Sequence, residues 1–287
     1  MKTILYATDY SDNSVAALQY AHSLSKMFNA KLLVLHVFDL SVTIASTVSL
    51  SYSRKEIKAF KEQRERLNSF CEEHLGVEPT MNVTLEINEG TPAWESIINS
   101  ANKSSVDLIV VGKKGESAFK EVLLGSTTTA LIEKADCPVL AIPEKVSSRE
   151  IKSMAYATAL EEADVLAIEK LVGLARQLNA TINVVHIATN DEYAGEEQME
   201  WFKELLQQKT NYDRLHFTLR FSEDVFSALK EYLSEYNPDV IAMLERQGHS
   251  LIKSMWHRDI VKRMITESKF PLMTYHKKNL RKESMVS

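Results

Sequence analysis

The sequence predicts an α/β protein built from two tandem sandwiches, each with a five-stranded parallel sheet. Two observations lead to this prediction. Short apolar segments alternate with longer segments of helical periodicity along the 287-residue chain, and the first 37 residues reappear in altered form at 151–187. Alternation of strands and helices produces a parallel sheet covered by helices and joined by right-handed crossovers. Each half of the chain is therefore expected to fold as one such unit.

The internal repeat sets the expected domain boundaries. Eleven of the 37 aligned positions are identical without a gap, where ordinary composition would give roughly two or three. The ends of the halves correspond too, since ADCPVLAIP at 135–143 matches SKFPLMTYH at 268–276. We expect one domain over 1–145 and a second over 150–278, joined by the polar segment EKVSSRE. The identical residues are Lys2, Tyr6, Ala7, Thr8, Val15, Ala17, Leu24, Asn29, Ala30, Val34 and His36.

The elements of the first half follow from the spacing of apolar residues. Most of the predicted strands are continuous apolar runs, which is typical of parallel strands covered on both faces. The predicted helices carry apolar residues three or four positions apart. The strands are expected at 4–8, 31–37, 83–87, 107–111 and 138–142, and the helices at 14–28, 54–75, 92–103 and 126–135.

Composition excludes several classes of protein. The net charge is −5, whereas a nucleic-acid-binding protein is usually basic. The two cysteines form no Cys-x-x-C or metal-like pattern, so neither a disulfide framework nor a metal site is expected. A strand begins within three residues of the start, and no apolar run reaches the ~18 residues of a membrane span. The expected location is the cytoplasm, without nucleic-acid or membrane partners.

A cluster of glycines follows the fourth predicted strand. Three of the eight glycines are Gly112, Gly115 and Gly125, spaced as Gly-x2-Gly-x9-Gly, and Ser126 and Thr127 follow at the start of a helix. Glycines allow close backbone approach and positive φ, and a helix start offers free amides to an anion. The spacing therefore predicts a phosphate site. The alternative is a set of turns with Ser126 as a helix cap.

Two charged residues at the ends of the first and fourth predicted strands each have two possible interpretations. Lys113 lies inside the glycine cluster, where it either neutralises phosphate charge or is a solvated loop residue. Asp9 ends the first strand, where it either caps the next helix or accepts hydrogen bonds from a ribose or a base. The repeat favours the binding interpretation, because the second half keeps Tyr156, Ala157 and Thr158 but replaces Asp9 with Ala159.

The second half has lost the glycine cluster as well. Leu244 stands at the Gly112 position, and Arg258 and Asp259 stand at the Gly125 and Ser126 positions. An aspartate would repel a phosphate. Because the carboxylate and the glycines disappear together from an otherwise retained framework, we expect a nucleotide phosphate site in the first half alone.

Four segments of the first half together resemble the universal stress protein family: ILYATDYSDNS, EGTPAWESIINSA, DLIVVGKKG and LLGSTTTALIEKADCPVLAIP. The resemblance covers nearly all of 1–143 and, more weakly, 151–276. It implies Rossmann-like units with strand order 3-2-1-4-5 and a site for ATP, with or without Mg²⁺, since 112–126 match the glycine motif of the ATP-binding members. The implied ATP-binding residues are Ala7, Thr8, Asp9, Val37, Gly112, Lys113, Gly115, Gly125, Ser126 and Thr127.

The resemblance also implies what the protein does. It indicates a regulatory stress-response protein that binds ATP, hydrolyses it slowly if at all, and is not an enzyme. The fifth strands, 139–142 and 272–275, would pair within the chain to form a pseudo-dimer, which could form a homodimer and contact an unknown regulatory protein. Two alternatives stay open: a nucleotide-free interaction module, and an adenine-nucleotide alpha-hydrolase, which the glycine-free loop ATDYSDNS disfavours.

Three further features carry weaker expectations. The Ser/Thr-rich segment 41–53 is either a cover over the nucleotide or a solvent loop. His36 and His186 recur at matching strand ends, which suggests a shared structural hydrogen bond. His249, His257, Arg258 and Asp259 fall where the second half has lost the cradle, and they form either an altered site or a salt-bridged filling.

Overall fold

In the computed structural model the chain divides into two compact units, residues 1–148 and 149–287. The structure describes residues 1–40, 49–76, 82–113, 125–146, 150–189, 195–246, 253–277 and 280, and the side chains of 49–54 and 253–259 lie outside this description. The first unit alternates strands and helices from end to end. Its elements are β1 (Thr3–Thr8), α1 (Asp12–Met27), β2 (Lys31–Phe38), α2 (Ser49–Leu75), β3 (Val83–Glu89), α3 (Ala93–Lys103), β4 (Leu108–Gly112), α4 (Ser126–Lys134) and β5 (Val139–Ile142).

The sheet of the first unit has the order β3-β2-β1-β4-β5, with parallel pairing throughout. β1 lies between β2 and β4, so the chain builds the sheet in one direction and then returns to build it in the other. In open parallel sheets a crevice for ligands forms at this reversal, beyond the carboxyl ends of the strands. The predicted fold class and strand order are confirmed, and the reversal of strand order lies between β1 and β4.

The second unit repeats this architecture with the order β8-β7-β6-β9-β10. β6 lies between β7 and β9 and corresponds to β1. The predicted pairing of the two fifth strands stays a prediction. The elements of this unit are β6 (Ser153–Ala157), α5 (Glu162–Leu178), β7 (Thr181–Ala188), α6 (Gly195–Lys209), β8 (Leu215–Phe221), α7 (Val225–Tyr236), β9 (Val240–Glu245), α8 (Lys253–Glu267) and β10 (Leu272–His276).

Matching residues do the same structural work in both units. Asp107 accepts hydrogen bonds from the amides at the start of β1, and Asp239 does so at the start of β6. His36 Nδ1 donates to the carbonyl of Thr8 at 2.9 Å, and His186 Nδ1 donates to the carbonyl of Thr158 at the same distance. The shared histidine hydrogen bond predicted from the repeat is confirmed.

The segment 41–53 after β2 is predicted to be a cover or a solvent loop, and this prediction is wrong for residues 49–53. α2 begins at Ser49, five residues before the predicted start, so residues 49–53 are helical and not part of a loop. No glycine or proline interrupts 49–75, and adding residues to an existing helix costs little compared with starting one. Residues 41–48, the rest of the predicted cover, lie outside the described residues.

Candidate functional site

A cavity lies at the carboxyl ends of β1 and β4 in the first unit, where the strand order reverses. Its walls come from the ends of β1, β2 and β4 and from the starts of α1, α3 and α4. Eight of the predicted site residues line it: Ala7, Thr8, Asp9, Val37, Gly112, Gly125, Ser126 and Thr127. The lining residues that sequence reasoning missed are Ser14, Leu35, Ala93, Ile97, Val111 and Thr128.

Asp9 directly follows β1, and its carboxylate is held in place by hydrogen bonds. Its Oδ1 accepts hydrogen bonds from the amide of Ser11 at 3.1 Å and from the hydroxyl of Ser11 at 2.6 Å. Ser11, not Asp9, is the N-cap residue of α1. The interpretation of Asp9 as a helix cap is therefore wrong, and its carboxylate lines the cavity instead.

The start of α4 forms the opposite side of the cavity. Gly125 is the N-cap residue, and the amide of Thr129 makes the first bond of the helical ladder, to the Gly125 carbonyl at 3.0 Å. The amides of Ser126, Thr127 and Thr128 precede that bond, so they have no carbonyl within the helix to bind. These amides and the positive end of the helix dipole favour an anion at this point.

Two details of the glycine cluster differ from the expectation. Ser126 is the first residue of α4 and not its cap, so the cap interpretation of Ser126 is wrong. Gly125 has a φ of −58° and a ψ of 137°, which any residue can adopt, so positive φ does not explain this glycine. Close backbone approach at Gly125, the other expected use of a glycine, stays a prediction. Gly115 lies outside the described residues.

Thr128 joins α4 to β4, two elements that line the cavity. Its hydroxyl donates to the carbonyl of Gly112 at 3.0 Å, which ties α4 to the end of β4. The side chain is buried although it belongs to the first turn of a helix. In the sequence it is one of three consecutive threonines, 127–129, and nothing there distinguishes the one that points inward.

Lys113 is not a solvated loop residue. Its side chain is 6% exposed, and its amide donates to the carbonyl of Ile142 at 2.9 Å, which extends the pairing of β4 with β5. Burial lowers the pKa of Lys113 to about 7. It is not among the described residues that line the cavity. The solvated interpretation is wrong, and its predicted role at phosphate stays a prediction.

The cavity is lined by apolar as well as polar side chains, and the apolar ones come from the strands and from α3. Ala7, Leu35 and Val37 from the strands and Ala93 and Ile97 from α3 provide apolar lining residues. Ala93 and Ile97 are four residues apart, so they lie on the same face of the helix. That spacing was the signal that could have identified them. The wall of the cavity therefore combines apolar side chains with the Asp9 side chain and the start of α4.

The second unit fills the corresponding space with charge. Asp164 stands where Ser14 stands in the first unit, is fully buried, and accepts a hydrogen bond from Arg246 Nη2 at 2.9 Å. Arg246 Nη1 also donates to Glu161 at 2.8 Å. A salt-bridged filling by Arg246 with Asp164 and Glu161 is thus present, and the filling predicted for other residues stays a prediction. Of the predicted set, His249 and the side chains of His257, Arg258 and Asp259 lie outside the described residues.

Other kinds of site find little support in the part of the chain that the structure describes. No group of three or more histidine, cysteine, aspartate or glutamate residues there is placed to hold a metal ion. Burial raises the pKa of both Cys71 and Cys137 to about 12, so both thiols are poor nucleophiles at neutral pH. No described helix has the length and apolar character to cross a membrane.

Fold and cavity together define a class of protein: two α/β units in tandem, with a cavity at the strand-order reversal of the first. The model of the universal stress protein family matches residues 1–143. Universal stress protein MJ0531 of Methanocaldococcus jannaschii is 32% identical over 141 residues, which are 49% of this chain and 81% of that protein. The chain belongs to the universal stress protein family.

Two further relatives define how far the similarity extends. Universal stress protein YxiE of Bacillus subtilis is 36% identical over an alignment of 148 residues, gaps included, that covers 48% of this chain and 97% of that protein. The crystal structure of a universal stress protein from Archaeoglobus fulgidus covers 96% of this chain and 98% of its own, with a TM-score of 0.67 and 18% identity. The sequence similarity thus covers about half of the chain, and the similarity of fold covers nearly all of it.

Proposed function

We propose that the first unit binds an adenine nucleotide and that the protein is a nucleotide-dependent regulator in the stress response. The observation that carries the proposal is one cavity lined by the Asp9 carboxylate, an apolar surface and the free amides of α4. A carboxylate accepts hydrogen bonds from ribose hydroxyls or a base amine. Amides at a helix start bind phosphate. A nucleotide supplies all three complementary groups.

The proposed nucleotide is ATP, with or without Mg²⁺. This choice rests on the glycine motif of residues 112–126, which matches that of ATP-binding members of the family. Ala7, Thr8, Asp9 and the backbone of Val37 would hold adenine and ribose. The phosphates would be held by Gly112, Gly115, Gly125, Ser126 and Thr127, with Lys113 nearby.

The size of the cavity bears on how binding would occur. The cavity encloses about 110 Å³, whereas a typical small-molecule site measures roughly 300 Å³ or more. We therefore expect the cavity to widen around a nucleotide, so that binding changes the protein surface near it. A change of this kind is what a regulatory partner would recognise.

Regulation by binding is favoured over catalysis by the make-up of the cavity wall. Asp9 is the single carboxylate among the described lining residues, and Ser11 already donates two hydrogen bonds to it. No arginine or lysine side chain occurs among those lining residues. Rapid phosphoryl transfer needs a group that positions the nucleophile and a cation that stabilises the developing charge. We propose that hydrolysis is slow or absent.

Two substitutions test the site without relying on a loss of folding. Ser126→Asp places a negative charge beside the proposed phosphates while favouring the start of α4 by about 0.3–1 kcal/mol, so ATP affinity should fall at least about tenfold with stability retained. Asp9→Ala removes a charged acceptor and should weaken binding by roughly 10–100-fold. Ser126→Asn and Asp9→Asn are the matched controls, and calorimetric titration measures the affinities.

Two further measurements distinguish nucleotide binding at this site from binding elsewhere and from a protein that binds no nucleotide. Mass spectrometry of ligand released from freshly purified protein, followed by titration with ATP, ADP and AMP, identifies the nucleotide. Affinity that survives both Ser126→Asp and Asp9→Ala would show that the site is elsewhere. If no adenine nucleotide is released, binds or raises the melting temperature, the protein is a nucleotide-free interaction module.

A further inference from the structure

The second unit holds a buried ion pair at the place that corresponds to the cavity of the first unit. Thr8 and Ser14 line that cavity, and their counterparts in the second unit are Thr158 and Asp164. The guanidinium of Arg246 reaches this place and donates from Nη2 to Asp164 Oδ2 at 2.9 Å. Arg246 is 7% exposed, so an entire charged head group is enclosed there.

The carboxylate that holds the guanidinium is built into the fold. Asp164 accepts five hydrogen bonds, including one from the hydroxyl of Tyr156 at 2.8 Å and one from the hydroxyl of Thr158 at 3.0 Å. The backbone amides of Ala159 and Glu161, which precede α5, supply two more. These donors exist independently of Arg246, so they would hold the carboxylate in place without it.

A second carboxylate completes the site from the outside. Glu161 Oε1 accepts from Arg246 Nη1 at 2.8 Å, while Lys277 Nζ lies 3.4 Å from Glu161 Oε2. The guanidinium thus bridges a buried and a half-exposed acid through two of its nitrogens. A planar guanidinium presents donors in a fixed fork that suits two carboxylates, which an ammonium group does not.

The repeat shows that the acids have changed place. The first unit has Asp9 at the end of its strand and Ser14 within its helix, whereas the second has Ala159 and Asp164 at the same positions. Ser11 has likewise become Glu161. The carboxylate that would face an external ligand is lost, and two that enclose a cation are gained.

We propose that the second unit retains a ligand site at the carboxyl end of its sheet, that this site binds a guanidinium group between Asp164 and Glu161, and that its ligand is the chain's own Arg246. The side chain of Arg246 therefore occupies the site of the second unit, which needs no external ligand. This inference concerns the second unit alone, so it stands or falls independently of nucleotide binding by the first.

Chemical rescue tests this proposal directly. Arg246→Ala leaves the buried Asp164 carboxylate without its cation and should lower the melting temperature by roughly 6–20 °C. If the space is a guanidinium site, millimolar guanidinium chloride should raise the melting temperature of Arg246→Ala in a saturable way. Sodium chloride and tetramethylammonium chloride at equal ionic strength should not. Arg220→Ala is the matched control, because Arg220 pairs with Glu235 at the surface of the same unit.

A set of milder variants covers the case in which Arg246→Ala does not fold. Arg246→Gln and Asp164→Asn each break the charge pair, and the double variant removes both charges. We expect the double variant to melt at a higher temperature than Arg246→Gln alone, because no charge is then left buried without a partner. Equal rescue of Arg220→Ala, absence of rescue, or additive effects in the variant set would each overturn the proposal.

Discussion

At the scale of one residue, Lys113 is a buried amine whose position is set by the pairing of β4 with β5. It follows β4 directly, and its amide continues the hydrogen bonding between β4 and β5. The side chain is enclosed as a consequence, and burial lowers its pKa to about 7. A charged amine in this place is costly, because burial disfavours the charged form. Titration of one buried amine thus couples the stability of the first unit to pH near neutrality.

Stability should depend on pH through Lys113 in a defined window. The pKa is about 7 in the folded protein and about 10.4 in an unfolded chain, so the unfolded state binds more protons between these values. The free energy of unfolding should therefore rise as pH increases from about 7 to about 10, by at most about 1.4 kcal/mol per pH unit. Urea unfolding at several pH values measures it.

The matched variants for this measurement are Lys113→Met and Lys103→Met. Lys113→Met removes the titrating group from a buried position and should flatten the pH dependence between 7 and 10. Lys103 is exposed at the end of α3, so Lys103→Met should leave the slope unchanged. Identical slopes for the wild type and Lys113→Met would contradict the assigned pKa.

At the scale of elements, the site depends on how α4 is held against β4. The amides at the start of α4 are useful to an anion only if the helix stays beside the end of β4, where the other lining residues lie. The hydrogen bond from Thr128 to the Gly112 carbonyl is the described side-chain link between them. Thr129 makes a similar bond, but to Gly125 within its own helical turn.

Thr128→Val should weaken both stability and nucleotide binding. The substitution keeps the shape of the side chain and removes one buried hydrogen bond, which costs about 0.5–1.5 kcal/mol and leaves the Gly112 carbonyl without this donor. Thr129→Val removes a bond within the helix and should leave nucleotide affinity within about twofold. Thermal melting and calorimetric titration of the two variants make the comparison. Equal loss of affinity in both would mean that the link between α4 and β4 does not matter.

At the scale of the whole molecule, two units of one fold have become chemically different. In the first, strand ends and a helix start surround a cavity. In the second, Asp164 and Arg246 fill the corresponding place. Both units keep the same strand order and the same histidine hydrogen bond, so the difference lies in the side chains at one edge of each sheet.

Nucleotide should bind to this chain in a ratio of one to one. Saturating ATP at about 100 times its dissociation constant should stabilise the first unit by about 2.7 kcal/mol, and hydrogen exchange should slow within residues 1–148 but not within 149–287. Calorimetric titration gives the ratio and exchange mass spectrometry gives the location. A ratio of two nucleotides per chain, or equal protection of both units, would contradict the asymmetry.

The sequence by itself determined the fold class, the repeat and the edge at which the cavity lies. Apolar runs and helical periodicity reflect burial on strands and helices, so they can be read along the chain without knowledge of long-range contacts. The spacing of the glycines and the position of Asp9 made them candidates, and their absence from the second half of the same chain favoured a binding role. The shared histidine hydrogen bond followed from the same comparison.

Only the tertiary structure decided which side chains meet. Asp164 and Arg246 are 82 positions apart, and neither stands out in the sequence, yet they form the buried pair of the second unit. In the sequence Lys113 resembles a loop residue, and only the structure shows that its amide pairs with β5. Thr128 cannot be told from the neighbouring threonines in the sequence, and only the structure shows its hydrogen bond to β4. Burial and pairing of polar groups depend on what packs against them from other elements. A pattern along one strand or helix does not contain that information.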